Sequence, residues 1–149
     1  MIENKEKNFI SVVAYLRNDE DKIIQFMKNI SDVLERNFEK YEIIFVNDSS
    51  TDKSINKIQE CKTLVKHGML QIINMSFHQG VEASMKAGVD LAIGDFVYEF
   101  DNIKMTFDKN LIMKIYYHSL KGYDIVSAVP KSVKKIYNKT SQRKISYSK

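Results

Sequence analysis

The chain has 149 residues, of which 44% are hydrophobic and 28% are charged, so it is long enough for one domain with a buried core. No apolar run approaches the roughly 20 residues that cross a bilayer, and the opening MIENKEKN lacks the apolar segment of a signal peptide. A single cysteine, Cys61, excludes an internal disulfide, and we expect a buried thiol in a cytoplasmic protein.

The net charge of +4 is concentrated near the C-terminus. Residues 131–149 contain seven Lys or Arg residues and no Asp or Glu. A solvated, frayed terminus is the commoner interpretation of such a run, and contact with nucleic acid, anionic lipid or a phosphorylated substrate is the alternative. Because the chain has no RNA-binding aromatic motif and no zinc-ligand spacing, we expect no nucleic-acid partner.

In chain order, short β-branched runs alternate with longer helical patterns. Strands are predicted at Phe9–Tyr15, Glu42–Asn47, Leu70–Met75, Phe96–Phe100 and Asp124–Val129. Helices are predicted from Ile23 to Leu34, from Ile55 to Val65, over Val81–Ile93 and over Lys109–Leu120. The alternation predicts an α/β sandwich, with a mostly parallel central sheet flanked by helices.

The starts of the first two helices carry residues that favour helix N-termini. Asp19, Glu20 and Asp21 precede the first helix, and acids suit the positive end of a helix dipole. Ser50 or Thr51 is predicted to cap the second helix, with Asp52 in its first turn. The single proline, Pro130, predicts a boundary between a domain at residues 1–130 and a basic tail at residues 131–149.

The loops that follow the predicted strands are polar, and they are the first place to look for a ligand site in an open α/β sheet. The loop after the first strand, YLRNDED, has no glycine, which argues against a dinucleotide-binding turn, and the chain has no Gly-Lys-Ser/Thr for a P-loop. A phosphate-accepting receiver domain needs an Asp after the third strand, where this chain reads NMSFHQ.

Four segments have the order and form of motifs in a known family. SVVAYLRNDEDKI (Ser11–Ile23) matches SVVxPxYNEExxI, and VNDSSTDKS (Val46–Ser54) matches VDDGSTDxT. SFHQGVEASMKAGVDLAIGD (Ser76–Asp95) matches SRNxGxxxAxxAGxxxAxGD, and FDNI (Phe100–Ile103) stands in the place of a DxD metal motif. From residue 11 to about residue 131 the chain therefore resembles the nucleotide-binding half of family 2 glycosyltransferases, and most of all the polyprenyl-phosphate sugar transferases.

The resemblance implies a GT-A fold, which is Rossmann-like, and transfer of a sugar from a nucleoside-diphosphate donor to a polyprenyl phosphate or a glycan, as in cell-envelope or polysaccharide biosynthesis. It places Asp48 on the base of the nucleotide, and Asn18 and Glu20 in the loop that closes around it. Asp101 would hold Mg²⁺ or Mn²⁺ between the donor phosphates.

Five of the chain's departures from the family pattern bear on the site. These are Tyr15 for proline, Arg17 for tyrosine, Phe77 and His78 for Arg-Asn, and Ile103 for the second Asp of the metal motif. We interpret Arg17 as a replacement cation for the phosphates, and His78 either as a ligand of the nucleotide or as a surface or loop-packing histidine.

Because Asp101 lacks its usual partner, we expect metal binding to be weak and to depend on the donor. Glu99 projects to the same side of the strand and is the candidate second ligand, although an ordinary strand glutamate is the commoner interpretation.

The leading hypothesis is a glycosyltransferase, and the alternative is a degenerate, non-catalytic module that binds a nucleotide sugar or serves as a scaffold. The apolar residues Phe77 and Ile103 favour the alternative. We assign no catalytic base, because in the family this group lies beyond the matched segments. The basic tail is accordingly predicted to begin a further acceptor-side or membrane-proximal region, which places the protein at the inner face of the membrane.

Overall fold

The structure is a computed structural model that describes residues 4–128 and the backbone of residues 144–147. The strands are β1 (Ile10–Leu16), β2 (Tyr41–Asn47), β3 (Met69–Asn74), β4 (Phe96–Phe100), β5 (Ile125–Ala128) and β6 (Lys144–Tyr147). The helices are α1 (Ile23–Asn37), α2 (Ser54–Cys61), α3 (Val81–Leu91) and α4 (Asn110–Ser119), with a 3-10 turn at Lys62–Leu64 after α2. No helix among the described residues is long and apolar enough to cross a membrane.

The six strands form one sheet in the order β3-β2-β1-β4-β6-β5, and every neighbouring pair is parallel. The predicted α/β sandwich with a parallel central sheet is confirmed. The prediction of five strands is wrong by one, because β6 lies in the segment interpreted as a tail and pairs with β4 and β5. Val129, Pro130 and residues 131–143 lie outside the described residues.

Helices cover both faces of the sheet. The main core joins one face of the sheet to α1, α2 and α4, through buried side chains such as Phe26, Ile58 and Tyr116. Cys61 belongs to this core, so the predicted buried thiol is confirmed, and burial raises its pKa. A smaller core on the other face packs Met85 of α3 against β1 and β2.

Helix α3 lies unusually close to the sheet at Gly88. A Cβ atom at this position would lie 2.4 Å from Cγ1 of Val13 and 2.7 Å from Cγ2 of Val46. Only a residue without a side chain allows the helix to approach β1 and β2 this closely. The contact fixes the height of α3 over the sheet, and with it the position of its N-terminus beside the ends of the strands.

A buried carboxyl group ties the amino-terminal edge of the sheet together. Glu42 on β2 is fully buried, and its oxygens accept hydrogen bonds from Ser11 Oγ at 2.5 Å, Gln71 Nε2 at 2.8 Å and the Ile93 N–H at 2.9 Å. These donors come from β1, β3 and the α3–β4 loop. Glu42 therefore joins three strands and the end of α3, at the edge opposite the polar loops.

We predict that Glu42→Ala lowers the free energy of unfolding by about 3 kcal/mol, because it leaves the buried Ser11 hydroxyl without its acceptor and also removes the hydrogen bonds from Gln71 and Ile93. Urea denaturation measures this change. Glu39→Ala is the matched control, since Glu39 is exposed, and it should change stability by less than about 0.5 kcal/mol. Equal stabilities for the two variants would show that the buried carboxyl group does not hold this edge.

Candidate functional site

The carboxyl ends of the parallel strands bring the predicted polar loops together at one edge of the sheet. Leu16, Asn47 and Asn74 are paired in register at the ends of β1, β2 and β3. The Asn47 amide donates a hydrogen bond to Asn74 Oδ1 at 2.9 Å, which holds two of the strand ends side by side. The loops that follow begin next to one another, and we call this region the carboxyl-edge site.

Asp48 lies at the centre of the carboxyl-edge site and is fully buried. Its Oδ1 accepts a hydrogen bond from the Gln79 N–H at 2.7 Å. Its Oδ2 accepts hydrogen bonds from the Tyr15 hydroxyl at 2.8 Å and the Gly80 N–H at 3.0 Å, and lies 2.7 Å from Nδ1 of His78. One carboxylate therefore binds β1, β2 and the β3–α3 loop together.

This carboxylate is strongly acidic for a physical reason. Burial alone raises the pKa of Asp48, but the hydrogen bonds from Gln79, Tyr15, Gly80 and His78 outweigh burial and lower the pKa to about 2. Burial and the bond to Asp48 raise the pKa of Tyr15 to about 12, so its hydroxyl keeps its proton and remains a donor.

Arg17 braces the loop that follows Asp48. Its Nη1 donates to the backbone carbonyl oxygens of Asp48 at 2.6 Å and Ser49 at 3.3 Å. Ser49 has a φ of 61° and Asn18 has a φ of 50°, both in the left-handed region. Such backbone costs about 1 kcal/mol or more in a residue with a side chain, and both residues stand in loops of the carboxyl-edge site. Arg17 thus lies in the site, where it holds a strained turn.

The β1–α1 loop is bonded, residue by residue, to the β2–α2 loop. The Asn18 N–H donates to Ser50 Oγ at 3.0 Å, and Asn18 Oδ1 accepts from the Thr51 N–H at 2.7 Å. The Glu20 N–H donates to Asp52 Oδ2 at 3.1 Å, and Glu20 Oε2 accepts from the Lys53 N–H at 3.0 Å. Asn18 and Glu20 therefore reach the carboxyl-edge site as links between its loops.

The predicted helix caps at this edge are wrong. Helix α2 begins at Ser54 after Lys53, so neither Ser50 nor Thr51 caps it. Asp52 instead accepts the Ser54 N–H at 2.9 Å and the Ser54 hydroxyl at 2.5 Å. The side chains at these positions cross-link the two loops, a tertiary demand that sequence-local capping rules do not include.

Two residues of the predicted metal motif meet different surroundings. Asp101 follows β4 and is half-buried, and its Oδ1 accepts a hydrogen bond from the Asn102 amide at 2.9 Å. Ile103 is only 1% exposed and belongs to the main core. A carboxylate at position 103 of this chain would be buried among apolar side chains, so the local packing selects the isoleucine.

Glu99 lies one strand repeat before Asp101, in a groove between β4 and α3. The groove has a volume of about 530 Å³ and is lined on its helical side by Val81, Met85 and Lys86. In residues 4–128, no group of three or more His, Cys, Asp or Glu side chains forms a metal-binding cluster. A metal ion held here would need further ligands from outside residues 4–128.

With this geometry in view, the sequence matches a known family over most of its length. Residues 10–145 match the family described as Glycosyl transferase family 2. The chain belongs to this family. The predicted family and the α/β fold class are therefore confirmed.

Two curated relatives show how much of the protein is matched. An uncharacterised glycosyltransferase of Synechocystis sp. is 32% identical over 83% of this chain and 38% of its own length. The undecaprenyl-phosphate 4-deoxy-4-formamido-L-arabinose transferase of Proteus mirabilis is 26% identical over 80% of this chain and 36% of its own length. The chain thus spans less than two-fifths of these family 2 relatives.

A solved structure agrees with the fold. The mannosyltransferase PcManGT of Pyrobaculum calidifontis, in complex with GDP-Man and Mn²⁺, superposes with a TM-score of 0.58. The two sequences are 14% identical, and the match covers 74% of this chain and 32% of the mannosyltransferase. This similarity supports the fold of the family 2 domain.

Sequence reasoning missed part of the site. It did not assign a role to Tyr15, whose hydroxyl binds Asp48, or to the backbone N–H groups of Gln79 and Gly80. The signal for Tyr15 was its place where the family has proline. No sequence signal marks the backbone donors, because their role depends on how closely α3 approaches β2.

We predict that Asp48→Asn lowers the free energy of unfolding by about 3 kcal/mol at pH 7, since the amide cannot accept from every donor that faces it. The carboxylate stabilises the fold above its ordinary pKa of 3.8, and this contribution is lost as the pH falls through about 2. Urea denaturation should therefore find a difference between variant and wild type of less than about 1 kcal/mol near pH 2.

Asp124→Asn is the control for this series, because Asp124 is exposed and precedes β5 at the opposite edge. Its stability should follow that of the wild type throughout. A difference between Asp48→Asn and the wild type that is independent of pH would contradict the assigned charge.

Proposed function

We propose that this chain is the donor-binding domain of a glycosyltransferase that takes its sugar from a nucleoside diphosphate. The observation that carries the proposal is the carboxyl-edge site itself, where Asp48 draws three polar loops together on the same edge of the sheet as Asp101. Family 2 membership supports the reaction class. The nucleotide would lie across the ends of β2, β1 and β4, beside Arg17, Asn18, Glu20 and His78.

The residues present fit a divalent metal only together with the donor. Asp101 would supply one carboxylate, and Mg²⁺ or Mn²⁺ commonly takes its remaining ligands from phosphates and water. The ion would neutralise charge on the departing diphosphate. Glu99, one strand repeat away, remains the candidate second ligand. The structural neighbour that holds GDP-Man and Mn²⁺ supports this use of metal.

Arg17 would serve the donor in two ways. Among the described residues its guanidinium bonds the Asp48 and Ser49 carbonyl oxygens through Nη1. An arginine carries five N–H donors, so most of them remain for phosphate oxygens. The bond that braces the strained turn would therefore also place a positive charge at the carboxyl-edge site.

The acceptor would be a polyprenyl phosphate or a growing glycan. The support comes from relatives that are named undecaprenyl-phosphate 4-deoxy-4-formamido-L-arabinose transferases. The basic composition of residues 131–149 supports peripheral contact with an anionic membrane at its cytoplasmic face, at about 1 kcal/mol for each Lys or Arg near the lipid. Because β6 (Lys144–Tyr147) belongs to the central sheet, we propose residues 131–143 as the segment of this basic region that contacts the membrane.

The non-catalytic alternative has little in its favour. Ile103, which suggested it, is accounted for by its place in the core. Phe77 is 64% exposed, and no described contact gives it a role in binding phosphate. Relatives with transferase names favour the catalytic hypothesis.

We predict that a nucleoside diphosphate with Mn²⁺ raises the melting temperature, with a gain of about 2.7 kcal/mol at 100 times the dissociation constant. Differential scanning fluorimetry with UDP, GDP, CDP and dTDP sugars, with and without Mn²⁺, measures the shift. Asp101→Asn should remove the part of the shift that depends on Mn²⁺. Asp124→Asn, the same change at the opposite edge, should retain it.

The proposal fails if none of these nucleotides shifts the melting temperature. It also fails if Asp101→Asn and Asp124→Asn respond alike to Mn²⁺. Calorimetry adds a check on the metal, because the free chain should bind Mn²⁺ far more weakly than the chain with nucleotide.

A further inference from the structure

The contact between Asp48 and His78 joins a buried carboxylate to an exposed imidazole ring. The Asp48 side chain is 0% exposed, whereas the His78 side chain is 54% exposed, and Oδ2 lies 2.7 Å from Nδ1. Both oxygens of the carboxylate already accept hydrogen bonds from Tyr15, Gln79 and Gly80. The charge of Asp48 can therefore influence a ligand at the carboxyl-edge site chiefly through the imidazole ring of His78.

The contact decides which nitrogen of His78 faces solvent. An ionised carboxylate is acceptor-only, so the ring nitrogen beside it, Nδ1, carries the hydrogen. In the neutral ring, Nε2 is then a hydrogen-bond acceptor, and it lies on the side of the ring away from Asp48. Within residues 4–128 no hydrogen-bond partner of Nε2 is present, and the ring is held ready to accept one.

The surroundings of His78 favour an uncharged part of the donor. The N-terminus of α3, a natural place for an anion, already holds the Asp48 carboxylate through the Gln79 and Gly80 N–H groups. A phosphate added there would lie against a buried negative charge. Asp101 stands two strands away, at the end of β4, about 10 Å across the sheet.

The distance between His78 and Asp101 indicates how the donor nucleotide would be oriented along the carboxyl edge of the sheet. With the diphosphate and its metal near Asp101, the nucleoside extends over β1 toward β2 and His78. We propose that Nε2 of His78 accepts a hydrogen bond from a neutral donor group of the nucleoside, either a ring N–H of the base or a ribose hydroxyl. Asp48 is then a positioning residue that fixes the tautomer of His78 and touches no ligand. This inference rests on the proposed function.

The test compares UDP with 3-methyl-UDP, which lacks the ring N–H, and with 2′-deoxy-UDP, which lacks a ribose hydroxyl. Calorimetry with Mn²⁺ at pH 8, where free imidazole is neutral, gives the affinities. If the fluorimetry above selects GDP, the set is GDP, 1-methyl-GDP and 2′-deoxy-GDP. The proteins are the wild type, His78→Asn, His78→Phe and the control His118→Asn, which changes an exposed histidine of α4.

We expect one of the two analogues to bind the wild type and His118→Asn about tenfold more weakly than the parent nucleotide, the loss typical of one hydrogen bond. The same analogue and its parent should bind His78→Asn within about twofold of each other. The asparagine can still donate to Asp48 but does not reach the position of Nε2. His78→Phe keeps a ring without either nitrogen and should give the same result.

Two results would overturn the inference and leave the proposed function intact. One is equal binding of the parent and both analogues to the wild type. The other is a tenfold loss that persists in both His78 variants, with melting temperatures that show folded protein. If none of the four nucleoside diphosphates UDP, GDP, CDP and dTDP binds, the proposed function itself is wrong, and this inference falls with it.

Discussion

The candidate site depends on one buried negative charge. Asp48 directly follows β2, and its carboxylate is held by a tyrosine of β1 and by two backbone N–H groups just before α3. Helix α3 also lies close against the sheet at Gly88, where any side chain would collide with Val13. The buried carboxylate and the close packing of α3 together constrain how the three loops are arranged.

The same constraint separates the roles of the two acidic positions. The buried Asp48 carboxylate is occupied by hydrogen bonds within the protein, and its charge orients the exposed His78 ring. Asp101 keeps a half-buried carboxylate at the end of β4, while the neighbouring Ile103 serves the core. In this account the protein organises the nucleoside end of the donor strongly and the phosphate end weakly. A donor-dependent metal is the expected consequence of that division.

Much of the fold could be predicted from the sequence, since β1, β2 and β4 are apolar runs whose period and length admit few alternatives. The ordered motifs indicated the carboxyl-edge site, because each of them contains or closely follows the end of a strand. The bonds inside the site could not be predicted. Tyr15 replaces a family proline, and its bond to Asp48 depends on the register of β1 with β2. The strand β6 has only four residues and lies in a basic segment, so its sequence was interpreted as part of a charged tail and not as a strand.

The central claim is that a nucleoside diphosphate lies along the carboxyl edge between His78 and Asp101, with Asp48 behind it. A crystal structure of the chain with a nucleoside diphosphate and Mn²⁺ tests this most directly. The account predicts the metal and phosphates at Asp101, the nucleoside against His78, and an Asp48 carboxylate that still accepts from Tyr15, Gln79 and Gly80. A nucleotide bound elsewhere, or an Asp48 side chain turned out to touch the base, would contradict it.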